Sequence, residues 1–378
     1  MNEVYITRLS KFLPNEPVGN DEIEGILGMV NGKPSRARHM VLGSNKIKTR
    51  YYALDKNGNP THTNAQLTAA AIKGLFNDTF PISQLQLLAC GTSSPDQLLP
   101  NHAAMVHGLL KCQPVELVST SGACAAGMQA LKYAYMSIKC GNTSNAVCSG
   151  SERISGAMLA TKFEPETENL KSLSENPILA FEKDFLRWML SDGACAALLQ
   201  DKPNENGLSL RVNWVEIASF AHELETCMYA GAVKDEHGDT KGWWDMLPEE
   251  WIQQSVFALK QDTRILAKNI VPSGARMWKQ LVERYQLNID ELDYFLPHLS
   301  SEFFRPRIDE EIARLGVPIP QEKWFTNLTW VGNVGTASPY LMLEELMNTG
   351  RLKKGQQIMM MVPESARFSY AYAHLTVV

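Results

Sequence analysis

The sequence predicts an α/β fold built from two similar halves. The main observation is an internal repeat, in which five apolar and hydroxyl-bearing residues recur later in the chain with identical spacing. The first set is Ile82, Leu85, Leu88, Ser93 and Ser94, and the second set is Ile289, Leu292, Phe295, Ser300 and Ser301. This period is far too long for a solenoid of stacked repeats, so two packed α/β halves are the simpler interpretation.

A second observation is that both halves continue with the same series of segments. Each has a small-residue turn, an amphipathic helix, a glycine, an apolar strand and a pair of one serine and one glutamate; the pairs are Ser151-Glu152 and Glu364-Ser365. Residues 201–207 form the clearest cluster of turn-forming residues. We therefore expect an N-terminal half at 1–203 and a C-terminal half at 204–378.

The first elements follow from the spacing of apolar residues. Val4, Ile6 and Leu9 are spaced like a strand, which we expect to end near Leu13. The polar stretch 31–64 indicates loops with short elements, and a helix is expected over 67–76.

Further segments are less regular. A helix after Asn101 carries His102 and His107, expected at the surface or at a dimer contact rather than as ligands. The acidic stretch 164–176 is a candidate lid. Residues 229–251 show no clean period and predict an inserted excursion, whose tryptophans, Trp243 and Trp244, either line an apolar pocket or pack the excursion onto the body.

Composition excludes several classes of protein. The chain has 378 residues, 44% of them hydrophobic, which is enough for a large core. A net charge of −5 and no basic run argue against a nucleic-acid partner. No signal peptide or membrane span is expected. The seven cysteines lack CxxC spacing, which argues against disulfides and zinc and favours a reducing cytoplasm.

Cys124 is the first candidate for chemistry. It lies in the small-residue stretch 119–127, between a β-prone run at 115–118 and a helix-prone run at 128–138. This layout places the thiol at a helix N-terminus, where the helix dipole favours the thiolate. Buried cysteines usually only pack, so both interpretations stay open for this segment alone.

Two later residues complete a possible constellation. His298 follows the apolar run 294–297 and is expected at a strand end, where loops often carry site residues. Asn333 lies in a second glycine-rich turn, at 332–338. Taken separately, the histidine could be a structural hydrogen-bonding residue and the asparagine a turn former.

These segments resemble those of the β-ketoacyl-acyl-carrier-protein synthase III family of the thiolase superfamily, whose members use Cys, His and Asn in this order. The resemblance covers nearly the whole chain. The matching segments are the Cys124 turn, Leu296-Pro297-His298, Gly332-Asn333 with Ala337-Ser338, Leu190-Ser191-Asp192-Gly193-Ala194 and Thr92-Ser93-Ser94-Pro95-Asp96. The resemblance implies a thiolase-like layered αβαβα fold of two halves related by a pseudo-dyad.

The resemblance also implies a reaction. Cys124 would take an acyl group from a thioester, a nucleophilic strategy that divides one difficult substitution into two easier ones. A malonyl thioester would lose carbon dioxide, with a β-ketoacyl thioester as the alternative second substrate, and His298 and Asn333 would stabilise the resulting enolate. The backbone N–H groups of Cys124 and Ala366 would form the second oxyanion hole.

The expected partners follow from the same resemblance. Substrates would arrive on acyl-carrier protein or coenzyme A, and no metal or other cofactor is expected. We expect a homodimer, since two-fold dimers are the commonest assembly, with contacts near Val147 and the loop 94–100.

Several residues depart from the usual pattern of the family. Phe303 stands where a carrier-docking arginine is common, and Ser365-Ala366-Arg367 replaces a triple glycine. In these departures the chain resembles the branch of the family that makes dialkylresorcinols or cyclohexanediones in secondary metabolism. In that case Glu152 is a candidate second base for ring closure, whereas the alternative is a structural role, paired with Arg153 or bridging subunits.

Two other functions share some of these features. A papain-like cysteine hydrolase has the same order of Cys, His and Asn, but its cysteine lies near the mature N-terminus. A catalytically silent partner subunit would generally lose the nucleophile. A condensing acyltransferase is therefore the favoured interpretation.

Overall fold

The computed structural model describes residues 1–35, 38–162 and 186–378. The candidate lid at 164–176 lies outside these residues. The strands are β1 (Tyr5–Phe12), β2 (Val18–Gly19), β3 (Thr49–Arg50), β4 (Leu87–Thr92), β5 (Glu116–Ser121), β6 (Asn145–Glu152), β7 (Gly193–Gln200), β8 (Leu210–Ser219), β9 (Met228–Tyr229), β10 (Ala232–Lys234), β11 (Thr240–Gly242), β12 (Lys260–Gln261), β13 (Leu292–Pro297), β14 (Gln357–Glu364) and β15 (Ser369–Val377).

The helices alternate with these strands. They are α1 (Ile23–Leu27), α2 (Arg38–Asn45), α3 (Asn64–Lys73), α4 (His102–Leu110), α5 (Ala126–Lys139), α6 (Pro248–Gln253), α7 (Thr263–Tyr285), α8 (Arg305–Arg314), α9 (Leu328–Val331) and α10 (Ser338–Asn348).

Nine of the described strands form one sheet, in the order β13-β14-β15-β8-β1-β7-β6-β4-β5. The halves join where β1 pairs with β8 in antiparallel fashion, at Tyr5 with Arg211 and Ile6 with Leu210. In the first half, β1 pairs with β7 and β7 with β6 in antiparallel fashion, and β6 then pairs with β4 in parallel. In the second half, β8 pairs with β15 and β15 with β14 in antiparallel fashion, and β14 then pairs with β13 in parallel. The two similar halves predicted from the repeat are confirmed. The division at 203/204 stays a prediction.

Alternating side chains of the strands face different layers of helices. In β4, Leu87 and Ala89 pack into a core with α5 and α10, whereas Leu88 and Cys90 pack against α3 and α4. In the second half, alternate residues of β14 likewise face α5 and α10, or α7 and α8 on the outside. The helices α5 and α10 are therefore the central layer, and the predicted αβαβα arrangement is confirmed.

Local signals account for several boundaries. β1 ends at Phe12, next to the predicted end at Leu13. The helix predicted over 67–76 begins earlier, at Asn64, because Thr63 forms a capping box with Gln66 in which each side chain accepts from the other residue's backbone N–H.

The prediction that His102 lies at the surface is wrong. His102 is buried, and its Nε2 lies 3.1 Å from the Thr68 hydroxyl and 3.2 Å from the Ser151 hydroxyl. Val147 is also buried, because β6 lies between β4 and β7 in the sheet. The Val147 side chain itself therefore cannot form a dimer contact, and the expected contact near it stays a prediction.

The described residues include neither a membrane-spanning helix nor a cluster of metal-binding side chains. None of their helices combines the length and apolar character that a membrane span requires. No three His, Cys, Asp or Glu side chains among them are grouped so as to hold a metal ion. All seven cysteines are free thiols.

Candidate active site

A cavity of about 690 Å³ brings the predicted site residues together. Cys124 and Glu152 of the first half and His298 and Asn333 of the second half all line it. A pocket of this size is typical of small-molecule binding sites. The triad predicted from three distant segments thus shares one cavity, formed by both halves.

The backbones of the two halves approach each other closely beside this cavity, at a junction that we call the seam. Gly127 at the start of α5 and Gly150 in β6 both face the backbone of Thr336, in the turn that carries Asn333. A Cβ at Gly127 would lie 2.4 Å from the Thr336 carbonyl oxygen, and a Cβ at Gly150 would lie 2.2 Å from it. Only glycine lets the turn of the second half reach this depth.

Cys124 lies on the turn between β5 and α5, where its side chain is half-buried against the cavity. Burial raises the pKa of the Cys124 thiol well above its ordinary value, and the carboxylates of Glu364 and Glu152 raise this pKa further. These effects oppose the helix dipole, which favours the thiolate. With its pKa raised, the thiol is protonated at neutral pH.

Glu364 contacts the Cys124 turn, although the sequence did not single it out as a site residue. It ends β14, is buried, and accepts a hydrogen bond from the backbone N–H of Ala125 at 3.3 Å. Burial raises the pKa of its carboxyl group. The available signal was the Glu364-Ser365 pair, which repeats Ser151-Glu152 of the first half.

His298 follows β13 directly and is only 3% exposed. Its backbone N–H donates to the Met361 carbonyl at 2.8 Å, which ties the residue to the end of β14. Burial lowers the pKa of His298 to about 4, so the imidazole is neutral near pH 7. Among the described residues, its buried Nε2 has no hydrogen-bond partner, which leaves this atom available to a ligand.

Asn333 is held in a defined orientation. Its side-chain oxygen accepts from the backbone N–H of Gly335 at 2.9 Å, and its own backbone N–H donates to the Met189 carbonyl at 3.1 Å. Since the oxygen is engaged within the turn, the side-chain NH2 is the group left to donate into the cavity.

Glu152 faces the cavity but is heavily hydrogen-bonded. Its carboxylate accepts from the hydroxyls of Ser93 at 2.8 Å and Ser94 at 2.6 Å, and from the backbone N–H groups of Ser93 and Thr336 at 3.2 Å. Burial raises the pKa of its carboxyl group. The guanidinium of Arg153 instead lies 3.9 Å from a carboxylate oxygen of Asp96. The alternative in which Glu152 pairs with Arg153 is therefore wrong.

Ala366 lies in the turn that joins β14 to β15. Its carbonyl accepts from the backbone N–H groups of Cys227 and Met228, at 2.9 and 3.1 Å. The described cavity wall includes its neighbour Ser365 but not Ala366. The oxyanion role of the Ala366 N–H stays a prediction.

The tryptophans of the excursion do not line the described cavity. Trp243 stacks on Trp244 at 4.0 Å and meets Trp251 edge-on at 5.5 Å. Trp244 is 79% exposed. These side chains therefore pack within the excursion, and the prediction that they line an acyl pocket is wrong.

The mouth of the cavity is apolar. Met40 of α2 and Phe303 line it and are both exposed. The guanidinium of Arg307 lies 4.0 Å from the centre of the Phe303 ring, whereas Arg305 pairs with Glu302 at 2.7 Å. Arg307 is thus a cation beside the entrance.

Comparison with known proteins agrees with this geometry. Residues 282–365 match the family model described as 3-oxoacyl-[acyl-carrier-protein] synthase III C terminal. The β-ketoacyl-[acyl-carrier-protein] synthase III of Limosilactobacillus reuteri is 26% identical over 364 residues, which is 95% of each chain.

Solved structures show the same fold. AbyA1, a tetronic acid condensing enzyme, has a TM-score of 0.75 at 22% identity over 99% of each chain. The 3-oxoacyl-[acyl-carrier-protein] synthase III from Aquifex aeolicus has a TM-score of 0.68 at 20% identity, also over 99% of each chain. In its layered halves, its shared cavity and its sequence over nearly the whole length, the chain is similar to the β-ketoacyl-[acyl-carrier-protein] synthase III family.

Proposed function

We propose that this protein is a condensing acyltransferase that joins an acyl group, carried on Cys124, to a carbanion released by decarboxylation. The observation that carries the proposal is the cavity wall on which Cys124, the unpartnered Nε2 of His298 and the amide of Asn333 occur together. A thiol beside two neutral hydrogen-bonding groups suits thioester chemistry and enolate stabilisation.

The first step is a thioester exchange. The Cys124 sulfur attacks the acyl carbonyl carbon, a carbon–sulfur bond forms, and the bond to the carrier thiol breaks. Because the Cys124 thiol is protonated at rest, its proton ends on the departing carrier thiol. The exchange is balanced in charge and in bonds.

The second step forms the carbon–carbon bond. A malonyl thioester loses its carboxylate as carbon dioxide, and the electron pair of the broken carbon–carbon bond becomes an enolate. Nε2 of His298 and the NH2 of Asn333 donate to the enolate oxygen, a stabilisation of about 3–4 kcal/mol per donor in comparable sites. The enolate carbon attacks the acyl carbonyl, and the Cys124 thiolate leaves.

Partners and assembly belong to the same proposal. Relatives are named for acyl-carrier protein, which we take as a substrate carrier, with coenzyme A as the alternative. A homodimer is supported by the half-exposed edge strand β5 and by Leu99, which is 85% exposed. A reducing cytoplasm would keep Cys124 a free thiol.

His298→Ala and Asn333→Ala test the two steps separately. We expect both variants to accept an acyl group on Cys124 and to lose decarboxylation of the malonyl thioester, because their donors act on the enolate. Intact-protein mass reports the first step and release of labelled carbon dioxide reports the second. Variants that fail only at acylation would contradict these roles.

Ring closure after condensation is a second candidate function. It is favoured by the position of Glu152, a carboxylate with a raised pKa on the wall that carries Cys124. It is also supported by the likeness to a tetronic acid condensing enzyme, and secondary metabolism is the setting it implies. If Glu152 removes the second proton, Glu152→Gln should release a linear product; an unchanged yield of cyclic product would refute the role.

A further inference from the structure

The cavity extends along one face of α7. The residues of α7 that line it are Thr263, Leu266, Ala267, Ile270, Val271, Gly274, Ala275 and Trp278. Their spacing alternates between three residues and one residue, so they form a single stripe on the helix. At 1.5 Å of rise per residue, this stripe is about 22 Å long.

The inner end of this stripe is a closed apolar chamber. Ile270 and all later lining residues of α7 except Val271 are buried, and Ile312 of α8 and Ile319 lie opposite. Trp278 closes the end, fixed by a hydrogen bond from its Nε1 to the Val317 carbonyl at 3.0 Å. The whole cavity, at about 690 Å³, exceeds ordinary packing defects.

The two tyrosine hydroxyls of the chamber are already engaged in hydrogen bonds to the backbone. The hydroxyl of Tyr370 donates to the Ile270 carbonyl at 2.8 Å, and that of Tyr372 donates to the Gly274 carbonyl at 3.0 Å. Their rings, but not their hydroxyls, are therefore left to contact a ligand. Among the described residues that line the whole cavity, Glu152 is the sole carboxylate and no lysine or arginine occurs.

The outer end of the stripe lies near the Cys124 site. The side-chain amide of Gln261, just before α7, donates to the Ser365 hydroxyl at 3.2 Å. Ser365 follows Glu364, which contacts the Cys124 turn through Ala125. A chain attached to Cys124 can therefore run past Ser365 and along α7 towards Trp278.

We propose that this chamber binds the alkyl part of a long, unbranched acyl chain that carries no polar substituent. The inference rests on the proposed function, because the chain is the acyl group that Cys124 would carry. An extended chain advances about 1.2 Å per bond, so the buried stretch from Ile270 to Trp278, about 12 Å, holds about ten bonds. The expected substrates are acyl groups of about 12 to 18 carbons.

The experiment compares the rates at which thioesters with 4 to 18 carbons acylate Cys124, measured by intact-protein mass. Wild type should prefer 14 carbons over 4 by at least tenfold. Ala275→Phe places a ring in the chamber and should lower this ratio at least tenfold. Ala313→Phe, the same change at an exposed site on α8, is the control and should keep the wild-type ratio.

A variant that enlarges the chamber guards against misfolding of Ala275→Phe. Ile312→Ala should move the preferred length upward by a few carbons. Equal rates for short and long chains in wild type would overturn the proposal, as would identical length profiles for Ala275→Phe, Ile312→Ala and wild type.

Binding without chemistry separates this inference from the proposed function. Cys124→Ala should bind free tetradecanoate in calorimetry, and adding Ala275→Phe should weaken that binding at least tenfold. If tetradecanoate binds in this way but no thioester ever acylates wild-type Cys124, the proposed function fails and the chamber stands. If short thioesters acylate Cys124 but tetradecanoate does not bind, the chamber proposal fails and the function stands.

Discussion

The two turns at the seam, the Cys124 turn and the turn at 333–336, are alike in construction and different in consequence. Each leads into a central helix and receives a buried glutamate from the end of a strand of the other half. Glu364 of β14 accepts from Ala125 in the first turn, and Glu152 of β6 accepts from Thr336 in the second.

The difference lies in what else holds each carboxylate. Glu152 also accepts two serine hydroxyls and a further backbone N–H, so its charge is compensated by hydrogen bonds. Glu364 is held by backbone N–H groups of the Cys124 turn, and its charge raises the pKa of the thiol. Glu152 is therefore held by more hydrogen bonds, whereas Glu364 has the larger effect of the two on the pKa of the Cys124 thiol.

The largest effect is expected from a substitution that breaks the contact between β6 and the turn at 333–336. Gly150→Ala would place a Cβ against the Thr336 carbonyl, and overpacking of this kind costs about 2–3 kcal/mol or more. We expect a lower midpoint of urea unfolding and loss of acyl transfer. Gly108→Ala in α4, where a Cβ meets nothing within 4 Å, is the control and should unfold at the wild-type midpoint or above.

A second prediction compares the two carboxylates in stability. Glu152→Gln removes a charged acceptor from several hydrogen bonds and should lower the free energy of unfolding by about 1.5–3 kcal/mol. Glu364→Gln should cost less, because fewer contacts depend on it. Urea titration of both variants measures the two free energies of unfolding, with Glu16→Gln at an exposed position as the control. A larger loss of free energy in Glu364→Gln than in Glu152→Gln would contradict the view that more contacts depend on Glu152.

The smallest effect concerns the reactivity of Cys124. A negative charge nearby raises a thiol pKa, so removing it in Glu364→Gln should lower that pKa and increase the thiolate fraction at pH 8. We expect alkylation of Cys124 by iodoacetamide to become about three- to tenfold faster, since one pKa unit is tenfold in thiolate. Peptide mapping identifies the site, and an unchanged or slower rate would show that Glu364 does not act on the thiol.

Much of this arrangement could be predicted from the sequence. The repeat around Leu88 and Phe295 indicated two halves, because equivalent strands need the same apolar spacing. Cys124, His298 and Asn333 each had a local signal, a small-residue turn or a strand end, and these signals became specific when they occurred in order.

The features that could not be predicted from the sequence depend on contacts between distant segments. No local pattern shows that Glu364 reaches the Cys124 turn, or that burial there raises the pKa of the thiol. His102 was misplaced because a helix with few charged residues does not reveal which face packs inward. The α7 stripe was also missed, because its apolar residues look like an ordinary core face until the chamber in front of them is seen.

The most direct test of the account is the site of acylation. Wild-type protein incubated with a long-chain acyl thioester should gain the mass of one acyl group, and peptide mapping should place it on Cys124, while Cys124→Ala should remain unmodified and fold normally. A full acyl adduct on Cys124→Ala, or an adduct mapped to the exposed Cys140 in wild type, would contradict the assignment of the seam as an acyl-transfer site.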